Sequence, residues 1–345
     1  MAAAPHQPLN ALLKATSRSF WLTLRVLPAA VRPQIGLAYL LARTTDTIAD
    51  TEILPVTERL DALEKLRERI LGQNSAPLNF GALAQSQGKP EEKLLLEKVG
   101  DALAALKAFS EADQKLIRDV LATITSGQEL DLRRFAGAAA GKIIALETAA
   151  ELDDYTYRVA GCVGEFWTKI CRAHLFPNAS LDEKQFLADG IRFGKGLQLV
   201  NILRDLPVDL KNGRCYLPLE KLEPLKLLPE TLLSPANEQK FLPLFREHLD
   251  QAEAQLAAGW RYVNTLPFGQ FRVRLACAWP VLIGVRTLEK LRAASVTDLQ
   301  QRVKVSRAEV RGIVFRSLLA SPFPAAWRGL HPSAGNAVDS RGELA

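Results

Sequence analysis

Residues 43–50 read "RTTDTIAD" and close an apolar run, "GLAYLLA", at 36–42. The run is apolar nearly all round, which predicts a buried helix over 34–51. On such a helix Asp46 and Asp50 lie one turn apart, about 6 Å, on one face. Like charges at that spacing repel and weaken a helix. Burying them costs more unless a positive charge arrives. This stretch therefore points to a cation that is missing from the sequence itself.

A second acidic set follows in "GLQLVNILRDLPVDL" at 196–210. Asn201, Asp205 and Asp209 are spaced i, i+4, i+8 and spread over about 80° of one helix face. Pro207 lacks an N–H and crowds the preceding turn, so a kink or stop is expected there. Its effect on Asp209 makes that residue the least constrained of the three. Oxygen-only donors without His or Cys suit a hard cation, and sparse carboxylates suit Mg²⁺ shared with phosphate oxygens. Arg43 lies three residues before Asp46, Arg204 adjoins Asp205, and Arg18, Lys195 and Arg214 flank the sets in sequence. Carboxylates that hold Mg²⁺ beside arginines make a diphosphate site, where charge on departing pyrophosphate is stabilised. A lone D-x-x-x-D is common on solvated helix faces. Two such sets in apolar helices, both beside arginines, are not.

Helical periodicity dominates the rest of the 345 residues, of which 48% are hydrophobic and only 7% aromatic. Helices are expected over 9–26 with a stop near Pro28, 57–72, 91–110, 112–134, 146–174, 182–206, 237–265, 270–294 and 306–319. The last begins at a capping box, Ser306 to Glu309. Residues 72–90 and 135–144 are loop-like, and "KNGRCYLP" after Asp209 is a turn with an extended piece. No strand-rich block, repeat or compositional break occurs. The expected architecture is all-α, one domain over 1–330, with a flexible polar tail over 331–345.

The net charge of +6 is spread along the chain, and no nucleic-acid motif accompanies it. The four cysteines have neither disulfide-framework nor zinc spacing and are expected as reduced thiols in a cytoplasmic protein. No signal peptide is recognisable at the N-terminus. No run of 18 or more apolar residues occurs, so no transmembrane anchor is expected. Residues 315–330 admit two readings, a helix packed on the core followed by a turn, or a peripheral contact with a membrane surface.

Five stretches, "TSRSF" (16–20), "RTTDTIAD", "YTYRVAGCVGEFW" (155–167), "LQLVNILRDLPVDLKNGRCYLP" (197–218) and more loosely "CAWPVLIGVRTL" (277–288), resemble the squalene/phytoene synthase family in its order. The resemblance to these head-to-head prenyl synthases implies the all-α isoprenoid-synthase fold with a central cavity. It implies Asp46, Asp50, Asn201, Asp205 and Asp209 as Mg²⁺ ligands. Arg18, Ser19, Arg43 and Arg204 would contact diphosphate, and Tyr155 would be the catalytic tyrosine. Phe20, Gln198, Val159 and Val163 would line the substrate path. Where many phytoene-type members have another aspartate, this chain has Thr45, which points to the squalene branch. That branch condenses two molecules of farnesyl diphosphate through presqualene diphosphate and reduces the product with NADPH. Lys304 and Arg307 are the implied contacts to the phosphates of the reductant. Dehydrosqualene or phytoene synthesis without reductant, and a non-catalytic binder of prenyl diphosphates, stand beside it. The glycines of "VAGCVGEFW", with Gly194 and Gly196, fit either tight helix packing or room for an isoprenoid chain.

Overall fold

The computed structural model describes residues 7–17 and 20–331. Arg18, Ser19 and the tail beyond His331 lie outside the described residues. The chain is helical, and its contacts gather it into two compact units, Met1–Ala136 with Phe166–Pro177, and Gly137–Glu165 with Asn178–Ala345.

The first unit holds α1 (Gln7–Thr16), α2 (Phe20–Val26), α3 (Arg32–Ala49), α4 (Val56–Leu71), α5 (Gly81–Gln85), α6 (Pro90–Glu97), α7 (Val99–Leu106) and α8 (Glu111–Arg134). The expected helix over 91–110 is divided at Lys98. The chain turns at Pro28 as expected, and α3 opens with Pro33 in its first turn, where a missing N–H costs nothing. Ile35, Leu37, Leu40, Leu41 and Ile48 of α3 are buried, and α8 packs beside it.

The second unit begins with α9 (Ala149–Thr156), and α10 (Cys162–Leu175) follows in the chain. Between them Tyr157–Gly161 forms a π-helical turn, which divides the single helix expected over 146–174. Next come α11 (Glu183–Lys211), α12 (Leu219–Leu222), α13 (Glu238–Thr265), α14 (Phe271–Ala293), α15 (Val296–Leu299), α16 (Arg307–Ala320) and α17 (Pro324–Arg328). α11 runs unbroken through Pro207 to Lys211, past the expected end at 206. Proline costs a helix interior about 3 kcal/mol. Leu199, Val200, Ile202, Leu203 and Leu206 are buried along the same helix, worth on the order of 10 kcal/mol together. Packing therefore wins, and Asp209 stays on the helical lattice.

A close backbone approach fixes α11. A Cβ on Gly164 would stand 1.9 Å from the Gly190 carbonyl oxygen, and one on Gly194 2.1 Å from that of Ala160. These glycines thus serve tight packing, as does Gly196 against Gln255 of α13. Beyond α11, β1 (Ile144–Ala145) pairs parallel with β2 (Arg214–Cys215), so the loop-like 135–144 stretch ends in a short ladder. Gly213 (φ 78) allows the turn before β2, and a Cβ there would stand 2.6 Å from the Ala139 backbone. All four cysteines are free and buried.

Candidate diphosphate and metal site

The hydroxyls at the end of α3 are answered by the helix itself. Thr44 donates to the Leu40 carbonyl (2.8 Å), Thr45 to Ala42 (2.7 Å), Thr47 to Arg43 (2.9 Å) and Thr51 to Thr47 (2.6 Å). Each buried hydroxyl is satisfied by its own helix. Thr45 is fully buried, so an aspartate there would add an interior charge rather than a ligand.

Asp46 accepts a 2.5 Å hydrogen bond from Gln128 Nε2 of α8 and faces Arg43 at 3.8 Å. Arg43 is shared, because its other nitrogen meets Glu92 at 2.8 Å. The Asp46 side chain keeps 45% of its surface accessible, yet dense protein surrounds it. Burial first, then the Asp50 carboxylate, push its pKa up to about 6, against the weaker pull of Arg43 and Gln128. Asp50 is exposed at the helix end. Phe20 stacks on Tyr39 of the same helix with centroids 4.9 Å apart.

On α11 the electrostatics are reversed. Arg204 holds both oxygens of Asp205 at 2.9 and 2.6 Å, and Arg302 holds the same oxygens at 2.6 and 3.1 Å. Burial alone would raise this carboxyl, but the two guanidiniums outweigh it and keep the pKa below the ordinary value. Asn201 Nδ2 reaches Gln198 Oε1 at 3.4 Å, and Asp209 lies two turns beyond Asn201, half-buried. Lys195 pairs with Asp153 of α9. Tyr155 is buried and stacks on Tyr216, centroids 4.7 Å apart, so the extended piece after β2 positions it. Val159 lies in the π turn, half-buried, and Val163 is exposed on α10. Within that segment the Tyr157 hydroxyl donates to Glu165 at 2.9 Å, and its pKa rises to about 12.

The donor chemistry of both faces suits Mg²⁺. The first offers two carboxylates and the second two carboxylates and an amide, all oxygen donors, and among the described residues no imidazole–thiol–carboxylate cluster competes. Lys304 and Arg307 are exposed, and neither lines the 520 Å³ cleft beside α14 and α16. They present charge for a phosphate but no walls for a nicotinamide ring.

Gln128, Glu92, Arg302 and Tyr216 were not singled out in the sequence. Gln128 carried a signal, because it interrupts the buried α8 stripe of Leu121, Thr125 and Leu132. Arg302 lies 97 residues from Asp205 and carried none.

The squalene/phytoene synthase family model matches residues 13–309. The chain belongs to that family of head-to-head prenyl synthases. It is 30% identical over 262 residues to a 15-cis-phytoene synthase of Synechocystis, covering 72% of this chain and 66% of that one. It is 27% identical to a bifunctional lycopene cyclase/phytoene synthase of Blakeslea trispora, covering 87% of this chain and 46% of that one. The chain thus spans about half to two thirds of the length of these relatives. A solved ligand complex of TcSQS shares the fold with a TM-score of 0.77 at 22% identity, covering 94% of this chain and 90% of that one.

Proposed function

We propose that this chain, with residues 1–330 acting as one catalytic domain in the cytoplasm, condenses two farnesyl diphosphates head to head. The product is presqualene diphosphate and, with NADPH as hydride donor, squalene. The observation that carries the proposal is the Asp46–Asp50 pair at the end of α3, where burial first and the neighbouring carboxylate second lift Asp46 to about 6. Mg²⁺ bound to each acidic face would neutralise diphosphate charge and assist its departure as a Lewis acid. Asp46 and Asp50 hold one charge centre, and Gln128 fixes the Asp46 rotamer. Asn201, Asp205 and Asp209 form the other, with Arg204 and Arg302 able to pass from Asp205 to diphosphate oxygens. Arg43 serves the first face, while Arg18 and Ser19 are proposed as further diphosphate contacts. Tyr155, held by Tyr216, moves a proton at its phenol oxygen. Phe20, Gln198, Val159 and Val163 line the path of the isoprenoid. Lys304 and Arg307 would steer the phosphates of the reductant, and no step is assigned to its ring.

A second reading is favoured by the 30% identity to a 15-cis-phytoene synthase. On that reading the same residues join two C20 diphosphates and release a proton instead of taking up hydride. Incubation with farnesyl diphosphate and Mg²⁺, with and without NADPH, followed by mass spectrometry of the lipid, separates them. Squalene formed only with NADPH is the expected result. A C30 product two hydrogens poorer, unchanged by NADPH, assigns the dehydrosqualene reaction. Product from geranylgeranyl diphosphate alone assigns phytoene, and no product from either substrate removes the enzyme reading in favour of a prenyl-diphosphate binder.

A further inference from the structure

Helix α16 has two faces of opposite character. Ile313, Ser317 and Ala320 are buried and hold it to its unit. The opposite face carries Phe315, Leu318 and Leu319 at 62%, 47% and 58% exposure, and Phe323 in the following turn is 64% exposed. Their i, i+3, i+4 spacing makes one continuous stripe. At about 100° per residue, Arg307 lies at one edge of that stripe, Arg311 lies on the stripe's own face one turn before Phe315, and Arg316 lies beyond the other edge. All three arginines are exposed. Neither Arg311 nor Arg316 enters an ion pair among the described residues. Glu309, the only acid of α16, is taken by Arg286 at 3.0 Å and Lys290 at 2.8 Å, away from the stripe. The exposed face is therefore apolar, with exposed arginines before it and at its edges.

We infer that this face docks the chain on an anionic lipid surface. α16 lies in the headgroup plane, its large apolar side chains reach the acyl boundary, and Arg311 and Arg316 meet lipid phosphates. A second copy of the chain is a poorer partner, because a two-fold contact would set the same arginines against each other. Among the described residues no helix is long and apolar enough to cross a membrane, so the contact is interfacial. The inference does not depend on the reaction proposed above.

The test is co-sedimentation of the full chain with vesicles of phosphatidylcholine alone and of phosphatidylcholine mixed with phosphatidylglycerol. The wild type is expected to pellet with the mixed vesicles at low salt and to be released as salt rises. R311Q/R316Q should lower its partition on mixed vesicles by about fivefold for each charge removed. F315S/L319S should abolish partition, with the melting temperature of both variants unchanged because every altered side chain is exposed. Wild-type protein left in the supernatant with mixed vesicles at low salt overturns the inference. So does unaltered vesicle binding by both variants. A dimer seen by sedimentation velocity and lost only in F315S/L319S, without vesicle binding, assigns the face to a second copy instead.

Discussion

The two acidic helix faces carry the same chemistry in opposite electrostatic states. On α3 burial first and the Asp50 carboxylate second push Asp46 up to about 6, and Arg43, which faces it, is shared with Glu92. On α11 two guanidiniums clasp Asp205 and hold it below the ordinary value. Two motifs alike on paper thus differ in what they need from outside. On the first, burial and the second carboxylate outweigh the pull of Arg43 on Asp46, whereas the second holds Asp205 between two guanidiniums that it can redirect to an arriving anion.

The largest effect expected is on turnover. D50N removes the repelling neighbour, and product formation from farnesyl diphosphate should fall by about a hundredfold or more as a charge-stabilising group is lost. In the same variant a carbon-detected titration should show Asp46 titrating lower than in the wild type, though still raised by burial. An unchanged titration would mean that Asp50 is not what strains the first face.

G194A perturbs only the second face. The new methyl would meet the Ala160 carbonyl at 2.1 Å, and overpacking against backbone costs about 3 kcal/mol. A calorimetric melting temperature lower by several degrees is expected, with the Asp46 titration unmoved.

Q128L weakens the first face by a smaller step. Loss of a hydrogen bond to a charged group should lower Mg²⁺ affinity by roughly tenfold, read by calorimetric titration, and raise the Asp46 pKa further. The pH dependence has a definite sign. The folded state holds a proton on Asp46 up to about 6, against an ordinary 3.8. Its contribution to stability therefore falls as pH rises through that window and is fully unfavourable above it. Mg²⁺ should offset this loss and release a proton on binding near pH 6, and D46N should show neither effect.

R302Q should give the smallest change. Asp205 titrates low, so its ion pairs add stability above the unfolded carboxylate pKa, and this is lost as pH falls through the folded value. Arg302 is 43% exposed, so the change should stay within about 1 kcal/mol. It would appear as acid unfolding at slightly higher pH.

Much of this was legible because helical spacing is local. Asp46 with Asp50, and Asn201 with Asp205 and Asp209, were placed by periodicity alone, as was the capping box at Ser306. Pro207 misled about where α11 ends, because its cost is local while the burial that overrides it comes from distant chain. The division at Tyr157–Gly161 was hidden for the same reason. Nothing in "YRVAG" forbids an α-helix, and the π turn answers to the glycine contacts with α11. The partners of Asp46 and Asp205 come from α8 and from the segment before α16, and pairing across such separations leaves no periodic trace.

The π turn also places a limit on chain length. It holds one residue more than an α-helical turn would, so α9 and α10 are out of phase by about 100° relative to one continuous helix. Deleting Val159 would let the ladder run through as ordinary helix. That rotation would carry Glu165 away from the Tyr157 hydroxyl and move Gly164 off the Gly190 carbonyl. Over these few positions the count of residues is fixed as well as the glycines, and a single-residue deletion should cost more than a substitution that keeps the glycine contacts.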